Sequence, residues 1–149
     1  MTLNDRNIEQ PRPPLVSILR PGSYLIASIH TALNDSELTR FQHDLIAQVG
    51  RYRARGVIID VAALDVLDSF AGHTLRSIAR TATLRGASTV IVGINPEVAF
   101  TMVQLGMRME SVHTALDLDV GLVQLDALTA PADRRSGTNR TSTGRPAAR

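Results

Sequence analysis

Three polar residues that could take part in phosphoryl chemistry stand close together in this chain, at Asp65, Asp68 and Ser69. They follow the apolar, β-branched run at 57–61, and a helical pattern begins directly after them. The first N–H groups of a helix have no partner within the helix, and the helix dipole favours negative charge at that end. A serine hydroxyl at this junction is therefore placed where a phosphate would be stabilised, which suits reversible phosphorylation.

A simpler role for the same residues is helix capping. Either Asp68 or Ser69 could accept a hydrogen bond from the first turn, which stabilises a helix by about 1 kcal/mol. Capping needs only one polar residue, however, and here three of them surround the apolar Val66 and Leu67. The aspartates could accept hydrogen bonds from loop N–H groups or could help to present Ser69 to an enzyme, and both roles stay open.

A stripe of polar residues continues from this junction at helical spacing. It consists of Ser69, His73, Arg76 and Arg80. The stripe falls opposite the apolar face of the same helix, so we expect it to point to solvent, where another protein could reach Ser69. Phe70 is expected to anchor the start of the helix. The two arginines could equally belong to an ordinary solvated helix face.

The elements that position these residues alternate along the chain. Strands are predicted at 15–19, 24–29, 57–61 and 89–94, with a short fifth near 112. Helices are predicted to begin near 35, 69, 96 and 118 and to end before 56, at 85, at 106 and near 128. The order β-β-α-β-α-β-α-β-α predicts an α/β domain with a mixed, mostly parallel central sheet, opened by a hairpin.

Helix caps and apolar stripes support this pattern. Asn34-Asp35-Ser36, Asn95 and Asp117 are suitable N-cap residues, and Pro96 suits the first position of its helix. The inward stripe of the helix from 69 is predicted to be Ala71, Thr74, Leu75, Ile78, Ala79 and Ala82. That of the helix from 96 is predicted to be Val98, Ala99, Met102, Val103 and Leu105.

Composition and charge divide the chain into three parts. We predict a disordered lead-in at 1–14, one domain at 15–128 and a disordered Arg/Ser/Thr-rich tail at 129–149. The domain carries nine arginines against eleven acidic residues, whereas the tail carries five arginines and one aspartate. The excess positive charge is therefore in the tail. Direct nucleic-acid binding would need basic residues clustered on the folded surface, which the sequence does not clearly show, so we expect no nucleic-acid partner.

Several kinds of chemistry find no support in the sequence. The absence of cysteine excludes disulfides and thiol catalysis. There is no Gly-rich nucleotide loop, and the histidines at 30, 43, 73 and 113 lie in separate elements without ligand spacing. No run approaches the ~20 apolar residues that span a membrane, and no signal peptide is evident. We therefore predict a cytoplasmic, non-enzymatic protein without cofactor, metal or membrane partner.

The strand, the loop Asp65-Val66-Leu67-Asp68-Ser69-Phe70 and the following helix resemble the phosphorylation segment of STAS domains, the anti-sigma factor antagonists of bacterial partner-switching systems. The resemblance extends over 15–128 in element order and is closest to the RsbS-like scaffolds of the stressosome. Four further segments carry it: Phe41-Gln42-His43-Asp44-Leu45, Gly56-Val57-Ile58-Ile59-Asp60, Gly93-Ile94-Asn95-Pro96-Glu97-Val98-Ala99 and Thr114-Ala115-Leu116-Asp117-Leu118.

This resemblance implies a specific function. It implies that an RsbT-like serine kinase phosphorylates Ser69 and that a cognate phosphatase reverses the modification. It also implies self-association and assembly with RsbR-like STAS paralogues, which hold the kinase until phosphorylation releases it. RsbR-like proteins carry an N-terminal sensor domain and usually a threonine at the switch, so the short lead-in and the serine favour the RsbS-like branch. The predicted switch-loop and partner-binding residues are Asp65, Asp68, Phe70, His73 and Arg76.

Three other functions compete with this one. The chain could be an antagonist that binds an anti-sigma kinase outside any stressosome. It could be a small α/β hydrolase with a Ser or Asp nucleophile, for which His73 is the only local candidate base. The arginine-rich tail, which is longer than the family requires, could bind nucleic acid or an acidic partner.

Overall fold

The computed structural model describes residues 14–109 and 112–131. The elements follow the predicted order. The strands are β1 Val16–Leu19, β2 Tyr24–Ile29, β3 Gly56–Asp60, β4 Ser88–Val92 and β5 His113–Ala115. The helices are α1 Asp35–Tyr52, α2 Ser69–Leu84, α3 Pro96–Gln104 and α4 Leu118–Thr129.

The five strands form one sheet in the order β1-β2-β3-β4-β5. β1 is antiparallel to β2, with Val16 opposite Ile29, and the other neighbouring strands are parallel. This confirms the predicted mixed, mostly parallel sheet and its opening hairpin. β3 lies in the middle, which explains its continuous apolar run, because a strand covered on both faces buries every side chain.

Helices cover both faces of the sheet unequally. Ile59 of β3 packs in the larger core with Phe41 of α1 and Ile78 of α2. Ile58 points the other way, into a smaller core with Leu125 of α4. Within the described residues, α1, α2 and α3 therefore lie on one face and α4 on the other. Consecutive strand residues alternate between the two cores, as the pleat requires.

Each helix begins with a capped first turn. The N-caps are Asn34, Asp68, Asn95 and Asp117, and each side chain accepts a hydrogen bond from the backbone N–H three residues later. Pro96 occupies the first position of α3, as expected. These local contacts explain why four helix starts could be predicted closely.

Several predicted boundaries differ from the structure by a few residues, and two of them show a physical cause. α1 ends at Tyr52, where Arg53 adopts a left-handed conformation with φ 49°, and Gly56 begins β3 instead of closing the helix. β4 ends at Val92, before the predicted residue 94, because Gly93 adopts φ +81° and turns the chain against Ala62. In both places a tertiary contact or an unusual backbone angle, and not the apolar pattern, ends the element.

The predicted stripe of α3 is wrong in part. Val98 and Met102 are buried, whereas Ala99, Val103 and Leu105 are exposed, Val103 by 78%. This nine-residue helix uses only one pair of side chains four residues apart against the core. Ala99 and Val103 lie one residue further round the helix, about 100° away, and so point to solvent.

Two domain predictions fall largely beyond the described residues. Residues 1–13 of the lead-in and 132–149 of the tail lie outside them, and disorder there stays a prediction. The predicted start of the tail at 129 is wrong, because Thr129 is the last residue of α4. None of the described helices is long and apolar enough to cross a membrane.

Candidate functional site

The candidate site is the loop between β3 and α2, and its first residues are tied to the sheet. The side chain of Asp60 accepts a hydrogen bond from the Ala62 N–H at 2.9 Å. The Val61 N–H, one residue past the end of β3, donates to the carbonyl oxygen of Val92, the last residue of β4, at 3.0 Å. The loop therefore leaves the sheet in a defined direction.

Two leucines hold the middle of the loop against the core. Leu64 and Leu67 are buried, whereas Asp65 and Val66 between them are exposed, Val66 by 70%. The Asn95 side-chain amide donates to the Leu64 carbonyl oxygen at 2.7 Å. The same Asn95 caps α3, so a single side chain connects the loop to the next helix.

Asp68, and not Ser69, caps α2. The Asp68 carboxylate accepts from the Ala71 N–H at 2.8 Å, and the Asp68 carbonyl accepts from the Gly72 N–H at 3.0 Å. Ser69 is the first residue of the helix and is exposed. Among the described residues its hydroxyl has no hydrogen-bond partner, so the group is available for modification. One of the two alternatives for Asp68, a role as a backbone acceptor, is thus realised in the cap.

Phe70 does not anchor the helix start, contrary to expectation. Its side chain is 42% exposed, whereas that of Leu67 is 2% exposed. The reason is the phase of the helix: Ala71, Thr74 and their apolar neighbours face the core, and Phe70 lies beside them on the solvent side. Val66 and Phe70 therefore put apolar surface on either side of Ser69.

The predicted polar stripe is only partly a solvated face. Ser69, His73 and Arg80 are exposed, but Arg76 is half-buried because it crosses to the segment after α3. One guanidinium nitrogen of Arg76 donates to the Arg108 carbonyl oxygen at 3.2 Å. Another lies 2.9 Å from Nδ1 of His73. One of the two ring nitrogens of His73, the candidate base near Ser69, is thus engaged by Arg76.

These residues border a cavity of about 190 Å³ next to Ser69. Its lining includes Ser69, Gly72, His73, Arg76 and Met107 to Met109. The segment after α3 approaches so closely that a Cβ on Gly72 would lie within 2.4 Å of the Met107 sulfur. The sequence did not indicate Met107 or Arg108, and it indicated Asn95 only as a helix cap and not as a partner of Leu64, because no local pattern links them to a loop about 30 residues away.

A model of the STAS domain family matches residues 8–120 of the chain. Two solved structures are similar in both sequence and fold. A serine-to-glutamate variant of RsbS from Moorella thermoacetica is 34% identical, with a TM-score of 0.67, and the match covers 76% of this chain and 96% of that protein. A chain in a structure of the stressosome, described as a signal integration and transduction hub, is 30% identical, with a TM-score of 0.63 and coverage of 77% and 100%.

Curated relatives match over a shorter part of their length. RsbT co-antagonist protein RsbRA of Bacillus subtilis is 31% identical over 83 residues, which is 56% of this chain and 30% of that protein. RsbT co-antagonist protein RsbRC of the same organism is 34% identical over 65 residues, which is 44% of this chain and 23% of that protein. The chain thus spans less than a third of the length of these relatives. The unphosphorylated anti-sigma factor antagonist SpoIIAA, at 9% identity and a TM-score of 0.57, shares the fold.

Proposed function

Because this chain belongs to the STAS domain family, we propose that it regulates a bacterial partner-switching stress response. In this proposal it is a stressosome scaffold that holds a switch serine kinase and releases it once Ser69 is phosphorylated. The observation that carries the proposal is the position of Ser69, exposed at the first residue of α2. Its hydroxyl has no hydrogen-bond partner among the described residues.

The surroundings of Ser69 suit a protein substrate. A kinase has to enclose the hydroxyl that it phosphorylates, so the flanking residues must be reachable. Asp65, Val66, Asp68 and Phe70 are all exposed. Leu67 is buried beneath them and holds the loop in place. The kinase could therefore reach Ser69 without unfolding the domain.

The charge of the loop supplies a physical mechanism for release. Phosphorylation adds nearly two negative charges at Ser69. Asp65 and Asp68 in the same exposed loop oppose that charge, most strongly once a bound partner excludes water. The interface is then destabilised although the fold is unchanged. A few kcal/mol of repulsion lowers affinity more than a hundredfold.

The proposed partners are an RsbT-like serine kinase, RsbR-like STAS paralogues, a cognate phosphatase and further copies of this chain. Support for the kinase and the paralogues comes from two relatives named RsbT co-antagonist proteins. Support for assembly comes from the 30%-identical chain of a stressosome. The proposed role is cytoplasmic and non-enzymatic, and it requires no cofactor, because the kinase brings its own nucleotide.

Phosphosite mapping and binding measurements test the role of Ser69. After incubation with the kinase and ATP, mass spectrometry should find phosphate on Ser69. Ser69→Ala should bind the kinase but resist release, and Ser69→Asp should weaken binding about tenfold or more in titration calorimetry. Ser36, an exposed serine in the first turn of α1, supplies the matched controls Ser36→Ala and Ser36→Asp, which should behave like wild type. Phosphate found only elsewhere, or wild-type binding by both Ser69 variants, would contradict the proposal.

Size-exclusion chromatography with a purified RsbR-like paralogue tests the scaffold. Assembly into megadalton particles is expected. A complex with an anti-sigma kinase alone, without such particles, would indicate an antagonist that works outside the stressosome. The hydrolase alternative predicts turnover of generic esters or phosphates that is lost in His73→Ala.

A further inference from the structure

We infer that Arg76, together with His73, forms a receptor in the same chain for the phosphate on Ser69. The inference rests on the proposed modification of Ser69. It adds a consequence for the domain itself, because the captured phosphate would displace a contact between α2 and the segment after α3. The carrying observation is the cavity of about 190 Å³ that Ser69, His73, Arg76 and Arg108 border together.

The helix places these groups in line. Ser69, His73 and Arg76 are four and then three residues apart, which puts them on one face of α2. Side chains on a helix lean towards its N-terminus, so the long Arg76 side chain extends towards the first turn. Its guanidinium lies 2.9 Å from Nδ1 of His73, which is one helical turn after Ser69. A phosphate on Ser69 would extend towards it from the other side.

The present partners of Arg76 are weak ones for a guanidinium. Among the described residues it has two such contacts, with the backbone carbonyl of Arg108 and with the imidazole of His73. Because a guanidinium can only donate, Nδ1 of His73 has to be the acceptor in this contact. A phosphate accepts charge-assisted, bidentate hydrogen bonds that are about twice as strong as those to neutral groups. Exchange of a neutral partner for the phosphate is therefore favourable.

The charge of the cavity points to an anion. Arg76 and Arg108 border it, and none of the described residues that border it is a carboxylate. Asp68 is nearby in the chain, but its carboxylate faces the Ala71 N–H in the cap. The receptor thus offsets within the domain part of the repulsion from Asp65 and Asp68.

Capture of the phosphate would change the segment after α3. Arg76 now holds this segment through the Arg108 carbonyl, and Met107 packs against Gly72. Gly106 turns the chain with φ +64° just before these contacts. When the guanidinium moves to the phosphate, the Arg108 carbonyl loses its donor. Phosphorylation then alters a surface formed by two elements and not by the Ser69 loop alone.

The test is a ³¹P NMR titration of the full chain with phosphoserine incorporated at position 69 during translation, which needs no kinase. An unperturbed phosphoserine has a second pKa of about 6. A guanidinium within contact distance should lower that pKa by about half a unit to one unit in the folded chain, relative to the same chain in urea. Arg76→Gln should remove most of the shift. Arg76→Lys, which keeps the charge without the planar fork, should retain part of it.

Arg80→Gln is the matched control, because Arg80 belongs to the same stripe but lies one turn further from Ser69 and is exposed. It should leave the shift unchanged. Equal pKa values in wild type and in both folded Arg76 variants would overturn the inference, as would an equal loss in Arg80→Gln. Kinase release is scored separately on the same proteins. A lowered pKa without release of the kinase would support the receptor and contradict the proposed function. Release of the kinase without a lowered pKa would support the proposed function and contradict the receptor.

Discussion

Two hydroxyl groups at opposite ends of the central sheet differ in their contacts. At the amino ends of the strands, the Tyr24 hydroxyl contacts the side chains of Asp126 and Thr129, and Arg55 donates to the Thr129 carbonyl at 2.7 Å. At the carboxyl ends, Ser69 has no such contact among the described residues. One end connects the last helix to the sheet, and the other leaves a hydroxyl available.

This difference distinguishes a polar group that is bonded within the domain from one that another protein could contact. A polar group bonded within the domain contributes to stability and is not available to another protein. An exposed group on a firmly held loop contributes little to stability but is presented in a constant position. In this chain Leu64, Leu67 and the Asp68 cap hold the loop, so the exposure of Ser69 does not depend on a loose loop.

The largest expected effect comes from removal of the loop's apolar anchor. Leu67→Ala should lower the free energy of unfolding by about 2–4 kcal/mol, because it removes a fully buried side chain and leaves a cavity. Phe70→Ala, three residues on, should cost less than about 1 kcal/mol because Phe70 is 42% exposed. Urea unfolding measures both. A larger loss in Phe70→Ala would mean that Phe70 is the anchor after all.

A smaller effect is expected for the cap of α2. Asp68→Ala should cost about 1 kcal/mol, since the Ala71 N–H loses its acceptor. Asp68→Asn keeps an acceptor and should stay close to wild type in stability while it removes one negative charge beside Ser69. Thermal unfolding separates the two variants. If Asp68→Asn were as unstable as Asp68→Ala, the carboxylate charge and not the hydrogen bond would be what stabilises the helix.

The smallest effect is expected at the amino ends of the strands, where the Tyr24 hydroxyl contacts Asp126 and Thr129. Burial, followed by the hydrogen bond to Asp126, raises the pKa of Tyr24 above its ordinary value of 10.0. Above about pH 10 the tyrosine of the unfolded chain loses its proton first, so the folded state binds more protons and stability falls as pH rises. Tyr24→Phe should lower the free energy of unfolding by less than about 1 kcal/mol at neutral pH. It should also make the free energy of unfolding fall less steeply as the pH rises above about 10. Chemical unfolding at pH 8 to 11 checks both, and an unchanged slope would contradict the assignment to Tyr24.

Much of the fold could be predicted because its signals are local. The helix starts at Asp68 and Asn95 depend on residues within one turn, and the run at 57–61 shows a strand covered on both faces. The α3 stripe could not be predicted correctly, because a short helix that is apolar on several sides does not show which side meets the sheet. The burial of Val98 and the exposure of Val103 depend on how α3 sits against the core.

Some features of the candidate site could likewise be predicted from the sequence, and others could not. The sequence alone placed Ser69 at a strand–helix junction, because the change from strand to helix and the polar cluster lie within a few residues. The tertiary structure decided that Asp68 is the cap, that Leu67 and not Phe70 is the anchor, and that Arg76 reaches the Arg108 carbonyl. The physical reason is distance along the chain. Caps and periodicity act within one or two turns, whereas these contacts join segments that only the packed sheet and helices bring together.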